Sequence, residues 1–230
     1  MRTIGLVGGT GWVSTLEYYR RLNEEVHRRL GGHEAARCLL YSLNYGDVLR
    51  VKAADPEQGG VRTMVLEAAR LLSTAGAELL LLCANTLHWF APDVERTVPT
   101  PLVHIAVATG RRVRAQGLTR VGLLGTRPTM ERDFYKRRLA EAGLAVLVPE
   151  AEERAWVDTA INDELVQNVL RPETRGRFLG IVDGLRRRGA EGVVLGCTEI
   201  PLLVQQGHTD LPLFDTLAIH VEAAVDLALG

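Results

Sequence analysis

The segment GCTE at residues 196–199 contains the side chain best suited to chemistry, Cys197. It follows an apolar run that predicts a buried strand, and two polar residues, Thr198 and Glu199, come directly after it. A helix start or a backbone nest can lower the pKa of a thiol from about 8.5 towards neutrality, which makes thiolate available. Most buried cysteines are inert core residues. Because Cys197 follows a glycine at a strand end, we predict that it is functional.

The segment around Cys197 nearly repeats an earlier part of the chain. GAEGVVLGCTE begins at Gly189, and GAELLLLCANT begins at Gly76. Counted from each glycine, Cys197 corresponds to Ala84, whereas Cys83 is one residue out of step. Neighbouring side chains of a strand point to opposite faces, so Cys83 points into the core if Ala84 points towards a site. We therefore predict that Ala84 takes the position of a second reactive residue and that Cys83 is a core thiol, with a catalytic Cys83 as the weaker alternative.

Apolar runs alternate with helical patterns along the whole chain. The predicted strands are residues 3–9, 37–44, 77–84, 100–106, 120–126, 144–149, 191–197 and 211–216. A helix is predicted after the first strand, opened by a capping box of Ser14 and Glu17, and further helices cover residues 60–74, 129–142 and 173–188. We expect Asp215 and Thr216 to cap the last helix.

This alternation predicts the α/β class, with mainly parallel sheets covered by helices. Because the second half repeats the order of the first, we predict two pseudo-symmetric α/β domains. The predicted first domain comprises residues 1–100 and 214–230, and the second comprises residues 101–213.

Ligands of parallel sheets bind beyond the carboxyl ends of the strands. Small polar residues that could hold a carboxylate follow the predicted strands at Thr10, Asn85, Thr86, Thr126, Thr198 and Glu199. If the two halves face each other, the loops of Ala84 and Cys197 meet across a cleft. A small carboxylate substrate is the partner that these loops predict.

Composition excludes several other classes of function. The 230 residues carry a formal net charge of -1, which gives no reason to expect nucleic acid or an anionic membrane as partner. No apolar stretch approaches the roughly 20 residues that span a bilayer. Three cysteines without framework spacing favour reduced thiols and a cytoplasmic location. The histidines show no metal-ligand spacing, so we predict no metal; His88 alone follows a candidate loop closely enough to line a site.

Six segments of the chain occur in the same order in one known family. They are TIGLVGGTGWVSTLEYY, CANTLH, PLVHIA, VGLLGTRPTMERDFY, LGCTEIPLL and FDTLAIHVEAAV. On these segments the chain resembles the aspartate/glutamate racemases, which invert an α-carbon without a cofactor. The resemblance implies two pseudo-symmetric α/β domains, an active site in the cleft between them, and a homodimer. It also implies two acid/base residues that flank the α-carbon of the substrate.

The resemblance assigns roles to particular residues. The second acid/base residue of the family matches Cys197, and the first matches Ala84, which can move no proton. Carboxylate contacts match Asn85, Thr86, Thr126 and Thr198, and the resemblance leaves Arg50 or Lys52 to hold a distal carboxylate. The chain departs from the family pattern at Thr10, Gly11, Val13 and Val107.

Three functions are compatible with this pattern. The first is a racemase of aspartate, glutamate or a related amino acid, with Cys197 as acid/base and water, Cys83 or another polar group as its partner. The second is a decarboxylase of malonate-like acids, in which loss of carbon dioxide makes the carbanion and a single thiol protonates it. The third is a small-acid binding protein that has lost turnover.

Overall fold

The computed structural model describes residues 1–55 and 58–230, which form two compact units. The first unit contains Met1–His104 and His220–Gly230, and the second contains Ile105–Ile219. The domain boundaries predicted from the sequence, after residues 100 and 213, lie a few residues earlier. Strand Leu213–Asp215 pairs with the sheet of the second unit, which is why that unit extends beyond residue 213.

The first unit is built on a parallel sheet. Its strands are β1 (Ile4–Gly8), β2 (Cys38–Ser42) and β3 (Leu79–Leu82), in the order β2-β1-β3. Its helices are α1 (Trp12–Leu30), α2 (Tyr45–Ala54), α3 (Gly59–Thr74) and α4 (Ala91–Thr97), with a 3-10 helix at Asn85–Phe90. Every residue of β1 and β3 is buried, as expected for strands covered by helices on both faces.

The second unit repeats this plan. Its strands are β4 (Arg120–Leu124), β5 (Ala145–Leu147), β6 (Gly192–Leu195) and β7 (Leu213–Asp215), parallel and in the order β5-β4-β6-β7. Its helices are α5 (Ile105–Ala115), α6 (Arg127–Glu131), α7 (Asp133–Glu141), α8 (Ala151–Asp163), α9 (Pro172–Arg187) and α10 (Ile200–Leu203), with 3-10 helices at Leu165–Gln167 and Gln206–His208. Helix α11 (Thr216–Leu229) begins in this unit and ends in the first. The predicted alternating α/β fold with parallel sheets is confirmed.

The core of the second unit lies on both faces of its sheet. Val121 and Leu123 of β4 pack with residues of α5 and α7. Leu124, which points to the other face, packs with residues of α8 and α9. No helix within the described residues is both long and apolar enough to cross a bilayer.

The repeated Gly-Ala-Glu motif has the same structural role in both units. A carboxylate oxygen of Glu78 accepts a hydrogen bond from the backbone N–H of Thr3 at 2.7 Å, and Glu191 accepts one from that of Thr119 at 2.6 Å. The glycine that opens each motif has a φ of +97° or +94°, a conformation that glycine adopts without penalty. Each motif therefore anchors the start of β3 or β6 to the start of the neighbouring central strand.

The predicted strand at residues 100–106 is wrong. Only Leu102 pairs there, as an isolated bridge to Leu80. Strand pairing cannot extend in either direction from Leu102. Pro101 has no N–H to donate to a ladder, and α5 already begins at Ile105.

The predicted start of α1 is also wrong. The helix begins at Trp12, and Gly11 occupies its N-cap. The Ser14 hydroxyl donates back to the Gly11 carbonyl at 3.0 Å instead of capping the helix. Glu17 forms an ion pair with Arg20 at 2.7 Å, so the predicted capping box does not form. The helix predicted over residues 129–142 is likewise divided at Arg132, whose ψ of 156° is extended.

The loop after β1 allows a stability prediction. Gly9 has a φ of +88°, and a Cβ built there would lie 2.0 Å from the Leu43 carbonyl oxygen. We expect Gly9→Ala to lower the free energy of unfolding by at least ~3 kcal/mol in urea titrations, because backbone must move. Gly117→Ala is the matched control, since Gly117 has a φ of +79° but no atom near its Cβ position. It should cost only about 1 kcal/mol. Equal losses would show that the β1 loop shifts freely.

Candidate active site

Two loops meet at the carboxyl end of the sheet in the second unit. Leu124 of β4 pairs with Leu195 of β6, so the residues after them emerge side by side. The Gly196 N–H donates to the Leu124 carbonyl at 2.6 Å. A Cβ on Gly125 would lie 2.8 Å from the Gly196 carbonyl oxygen, so the two backbones are in contact there. This contact brings the loop of Thr126 next to the loop of Cys197.

Cys197 is the first residue of a buried polar triplet. Its thiol donates to Oε2 of Glu199 at 2.8 Å, and the Thr198 hydroxyl donates to the same oxygen at 3.0 Å. Cys197 is 7% exposed, and Thr198 and Glu199 are each 4% exposed. The three residues that the sequence predicted after β6 therefore share one hydrogen-bonded cluster, in which Glu199 is placed to take the thiol proton.

The environment of Cys197 raises the pKa of its thiol well above the ordinary value. Burial is the largest cause, and the charge of Glu199 and the hydrogen bond to it act in the same direction. The structure therefore does not show the lowered thiol pKa that a helix start could produce. The helix that follows, α10, comprises only Ile200–Leu203. At neutral pH the side chain is a thiol that donates to Glu199.

Asp158 belongs to this neighbourhood, although the sequence analysis missed it. The residue lies on α8, and its Oδ1 accepts a hydrogen bond from the Arg127 N–H at 2.6 Å, where α6 begins. Its charge also raises the pKa of Cys197. No motif marks Asp158 in the sequence, because its position depends on how α8 packs. On the same loop, the hydroxyl of Thr126 lies 3.3 Å from that of Thr129.

The first unit has the equivalent pair of loops. The Cys83 N–H donates to the Val7 carbonyl at 2.9 Å, as the Gly196 N–H does to Leu124. Cys83 thus corresponds to Gly196, and Ala84, the next residue, corresponds to Cys197. The register that the sequence repeat predicted is the register of the strands.

The candidate ligand residues of the first unit follow β1 and β3. Thr10 and Thr86 are half-buried, and Asn85 is buried. Since Val7 pairs with Leu82, these residues emerge from neighbouring strands at the same edge of the sheet. This edge therefore offers hydroxyl and amide groups next to the Ala84 backbone.

Cys83 lies in the core, next to this edge. Its side chain is buried, and burial raises the pKa of the thiol far above its ordinary value, with a smaller contribution from Cys38. All three cysteines are free thiols. Cys83 is therefore a protonated thiol within the core.

Arg50 and Lys52 lie on α2, a helix that the sequence analysis did not predict. Both side chains are exposed, and Arg50 pairs with Asp47 on the same helix. Residues two apart on a helix point in different directions, so at most one of the two could serve a given ligand. Across the described chain, no group of three His, Cys, Asp or Glu side chains is arranged to hold a metal ion.

The family model for Asp/Glu/hydantoin racemases matches residues 7–224. The chain belongs to this family. Two solved structures are similar over 100% of both chains. A candidate Asp/Glu racemase from Yersinia pestis is 38% identical with a TM-score of 0.92, and an aspartate racemase homologue from Pyrococcus horikoshii is 35% identical with a TM-score of 0.85.

Curated relatives in the family are more distant. The broad specificity amino-acid racemase RacX from Bacillus subtilis is 20% identical over 99% of this chain and 98% of its own length. A glutamate racemase from Geobacter metallireducens is 28% identical over 70% of this chain. The match spans only 59% of that glutamate racemase.

The Cys197–Glu199 contact in this family member predicts a change in thiol reactivity. Glu199→Gln keeps the shape of the side chain and removes a charge that raises the thiol pKa. We expect the pH midpoint for alkylation of Cys197 by iodoacetamide to fall, measured by peptide mass spectrometry. Asp158→Asn should shift the midpoint in the same direction by less, because its contribution is smaller. An unchanged or higher midpoint in Glu199→Gln would show that the carboxylate does not act on the thiol.

Proposed function

We propose that this protein is a cofactor-independent amino-acid racemase that acts on aspartate, glutamate or a related amino acid. The observation that carries the proposal is the buried Cys197–Glu199 hydrogen bond at the end of β6 in a member of a racemase family. A small carboxylate is the substrate class that the surrounding hydroxyl and amide groups favour. The homodimer and the cytoplasmic location stay predictions from the sequence.

In the proposed binding mode, hydroxyl and amide groups at strand ends hold the substrate carboxylate. Thr126 and Thr198 serve this role in the second unit, and Asn85 and Thr86 in the first, with Thr10 beside them. A distal carboxylate would pair with Lys52 or with Arg50, although the latter must first leave Asp47. These donors also stabilise the negative charge that develops when the α-proton is removed.

Cys197 is the proposed acid/base. The thiol passes its proton to Glu199 when substrate is bound, and the thiolate then takes the α-proton, leaving the electron pair in an enediolate. Return of that proton from sulfur restores the starting enantiomer, and protonation of the opposite face gives the other. The raised pKa makes the thiolate a stronger base but a scarce one at neutral pH, so the step depends on Glu199 taking the thiol proton when substrate is bound.

The opposite face has no obvious acid/base residue in the sequence. Ala84 corresponds to Cys197 in strand register and carries no titratable group. Cys83 would need a shift of register out of the core to replace it, so we favour water or another polar group as the second proton donor. Removal and return of a proton by Cys197 should then be faster than inversion.

One observation favours decarboxylation as a second candidate function. Cys197 is a protonated donor at neutral pH, which is the state needed to protonate a carbanion formed by loss of carbon dioxide. Such a reaction needs no base to remove an α-proton, so it does not require a titratable group at position 84. Release of carbon dioxide from a substituted malonate would support this function.

The decisive experiment is proton NMR in deuterium oxide with L- and D-aspartate and L- and D-glutamate. We expect loss of the α-proton signal with the parent protein, and a fall of at least ~100-fold in Cys197→Ala. Glu199→Gln should also slow exchange, even though it makes thiolate easier to form. Faster exchange in Glu199→Gln would mean that the carboxylate only hinders the thiol. No exchange with any of the four would contradict the racemase proposal and leave a decarboxylase or a binding protein.

Replacing Ala84 tests the second position. We expect Ala84→Cys to supply the missing acid/base and to raise the rate of inversion relative to exchange, measured by chiral chromatography alongside the NMR assay. Cys83→Ala is the matched control and should leave both rates within about twofold, since a core thiol contributes only packing. Loss of activity in Cys83→Ala, or no gain in Ala84→Cys, would contradict the assignment of Ala84.

A further inference from the structure

Four buried side chains that the proposed chemistry does not use lie together in the first unit. They are Tyr18, His88, His104 and His220, and none is more than 8% exposed. The ring of His88 lies 4.7 Å from that of His104 and 5.6 Å from that of His220, centroid to centroid. The group joins α1, the 3-10 helix after β3, the end of the segment before α5, and α11.

The hydrogen bonds fix the tautomer of His220. Its Nε2 lies 2.7 Å from the Val103 carbonyl oxygen, which can only accept, so Nε2 carries the hydrogen. Burial lowers the pKa of His220 to about 4, so the ring is neutral at pH 7 and its Nδ1 is an acceptor. The Tyr18 hydroxyl, 2.8 Å away, therefore donates to Nδ1. The two hydrogen bonds therefore run in one direction, from the Tyr18 hydroxyl to His220 and from His220 to the Val103 carbonyl.

His88 connects this hydrogen-bonded group to the candidate site. Its Nδ1 lies 3.0 Å from the Ala84 carbonyl oxygen. The Val103 carbonyl is a second acceptor near the His88 ring, but it already accepts from His220 at 2.7 Å, so we assign the hydrogen of His88 to Nδ1. Burial, with the charges of His104 and His220, lowers the pKa of His88, which keeps the ring neutral. The Ala84 carbonyl also accepts from the Leu87 N–H at 3.2 Å. Two donors thus hold the peptide group that immediately precedes Asn85.

We propose that His88 is a positioning residue, seated by the Tyr18–His220 pair, that fixes the orientation of the Ala84–Asn85–Thr86 segment for substrate binding. The His88 ring packs against the His220 ring at an interplanar angle of 67°, and hydrogen bonds to Tyr18 and Val103 hold both ring nitrogens of His220. His88 does not touch the substrate; it acts through the Ala84 carbonyl. The part of this proposal that concerns substrate rests on the proposed function, whereas the part that concerns the loop does not.

Two substitutions separate hydrogen bonding from packing at His88. His88→Asn can place an amide N–H where Nδ1 lies, whereas His88→Leu removes the donor. We expect the backbone amides of residues 85–87 to exchange with deuterium about ten- to a hundredfold faster in His88→Leu, and within a few-fold of the parent in His88→Asn. Val26→Ala, a buried change on α1, should lower the melting temperature without accelerating those amides. Unchanged amide exchange in His88→Leu would overturn the proposal.

The same variants test the link to substrate. In the NMR exchange assay with aspartate or glutamate, His88→Leu should raise KM about tenfold or more with a smaller effect on kcat, and His88→Asn should restore it. A fall in kcat alone would contradict a role in substrate binding. If the parent protein turns over none of these amino acids, the proposed function fails, and the amide exchange still decides the positioning role.

A measurement on the parent protein needs no variant. Long-range nitrogen-15 NMR correlations should show the Nδ1–H tautomer for His88 and the Nε2–H tautomer for His220 at pH 7. In Tyr18→Phe, the His220 nitrogen shifts should change while His88 keeps its tautomer. The Nε2–H tautomer at His88 in the parent protein would overturn the assignment.

Discussion

One backbone hydrogen bond at the end of each central strand pair decides which residue stands at the candidate reactive position. The Cys83 N–H binds the Val7 carbonyl in the first unit, and the Gly196 N–H binds Leu124 in the second. The next residue is Ala84 in one case and Cys197 in the other. A slip of one residue in either pairing would send every side chain of the strand to the opposite face. The chemistry of the loops therefore depends on the register of the sheets.

Two opposing effects act on the ionisation of the Cys197 thiol. Burial and the nearby acids disfavour thiolate, which makes the resting group a poor nucleophile. In the proposed mechanism Glu199, whose Oε2 accepts from the thiol at 2.8 Å, takes the proton, so thiolate forms without a proton leaving for solvent. A strong base that exists only briefly inside a site is suited to a C–H bond of very low acidity. An exposed thiol of ordinary pKa would be easier to ionise and weaker as a base.

The features that the sequence predicted correctly are those set by local pattern. The apolar runs of β1, β3, β4 and β6 are continuous, and Asp215 caps α11 by accepting from the Leu217 and Ala218 N–H groups, as its position before the helix indicates. Packing decided what the pattern missed. Helices α2 and α8 carry mixed surfaces, and Asp158 reaches the Cys197 neighbourhood only because α8 packs beside α6. The raised pKa of Cys197 follows from burial, which a sequence motif does not reveal.

The loop around Ala84 shows that the frame of the site does not depend on the side chain at this position. His88 and Leu87 donate to the Ala84 carbonyl, and the Cys83 N–H fixes the strand register. None of these three contacts involves the side chain of Ala84. Ala84 itself is half-buried and contributes only a methyl group. A loop held in this way keeps its geometry whichever small residue occupies position 84. The proposed Ala84→Cys substitution therefore changes the chemistry available at this position without removing a contact that holds the loop.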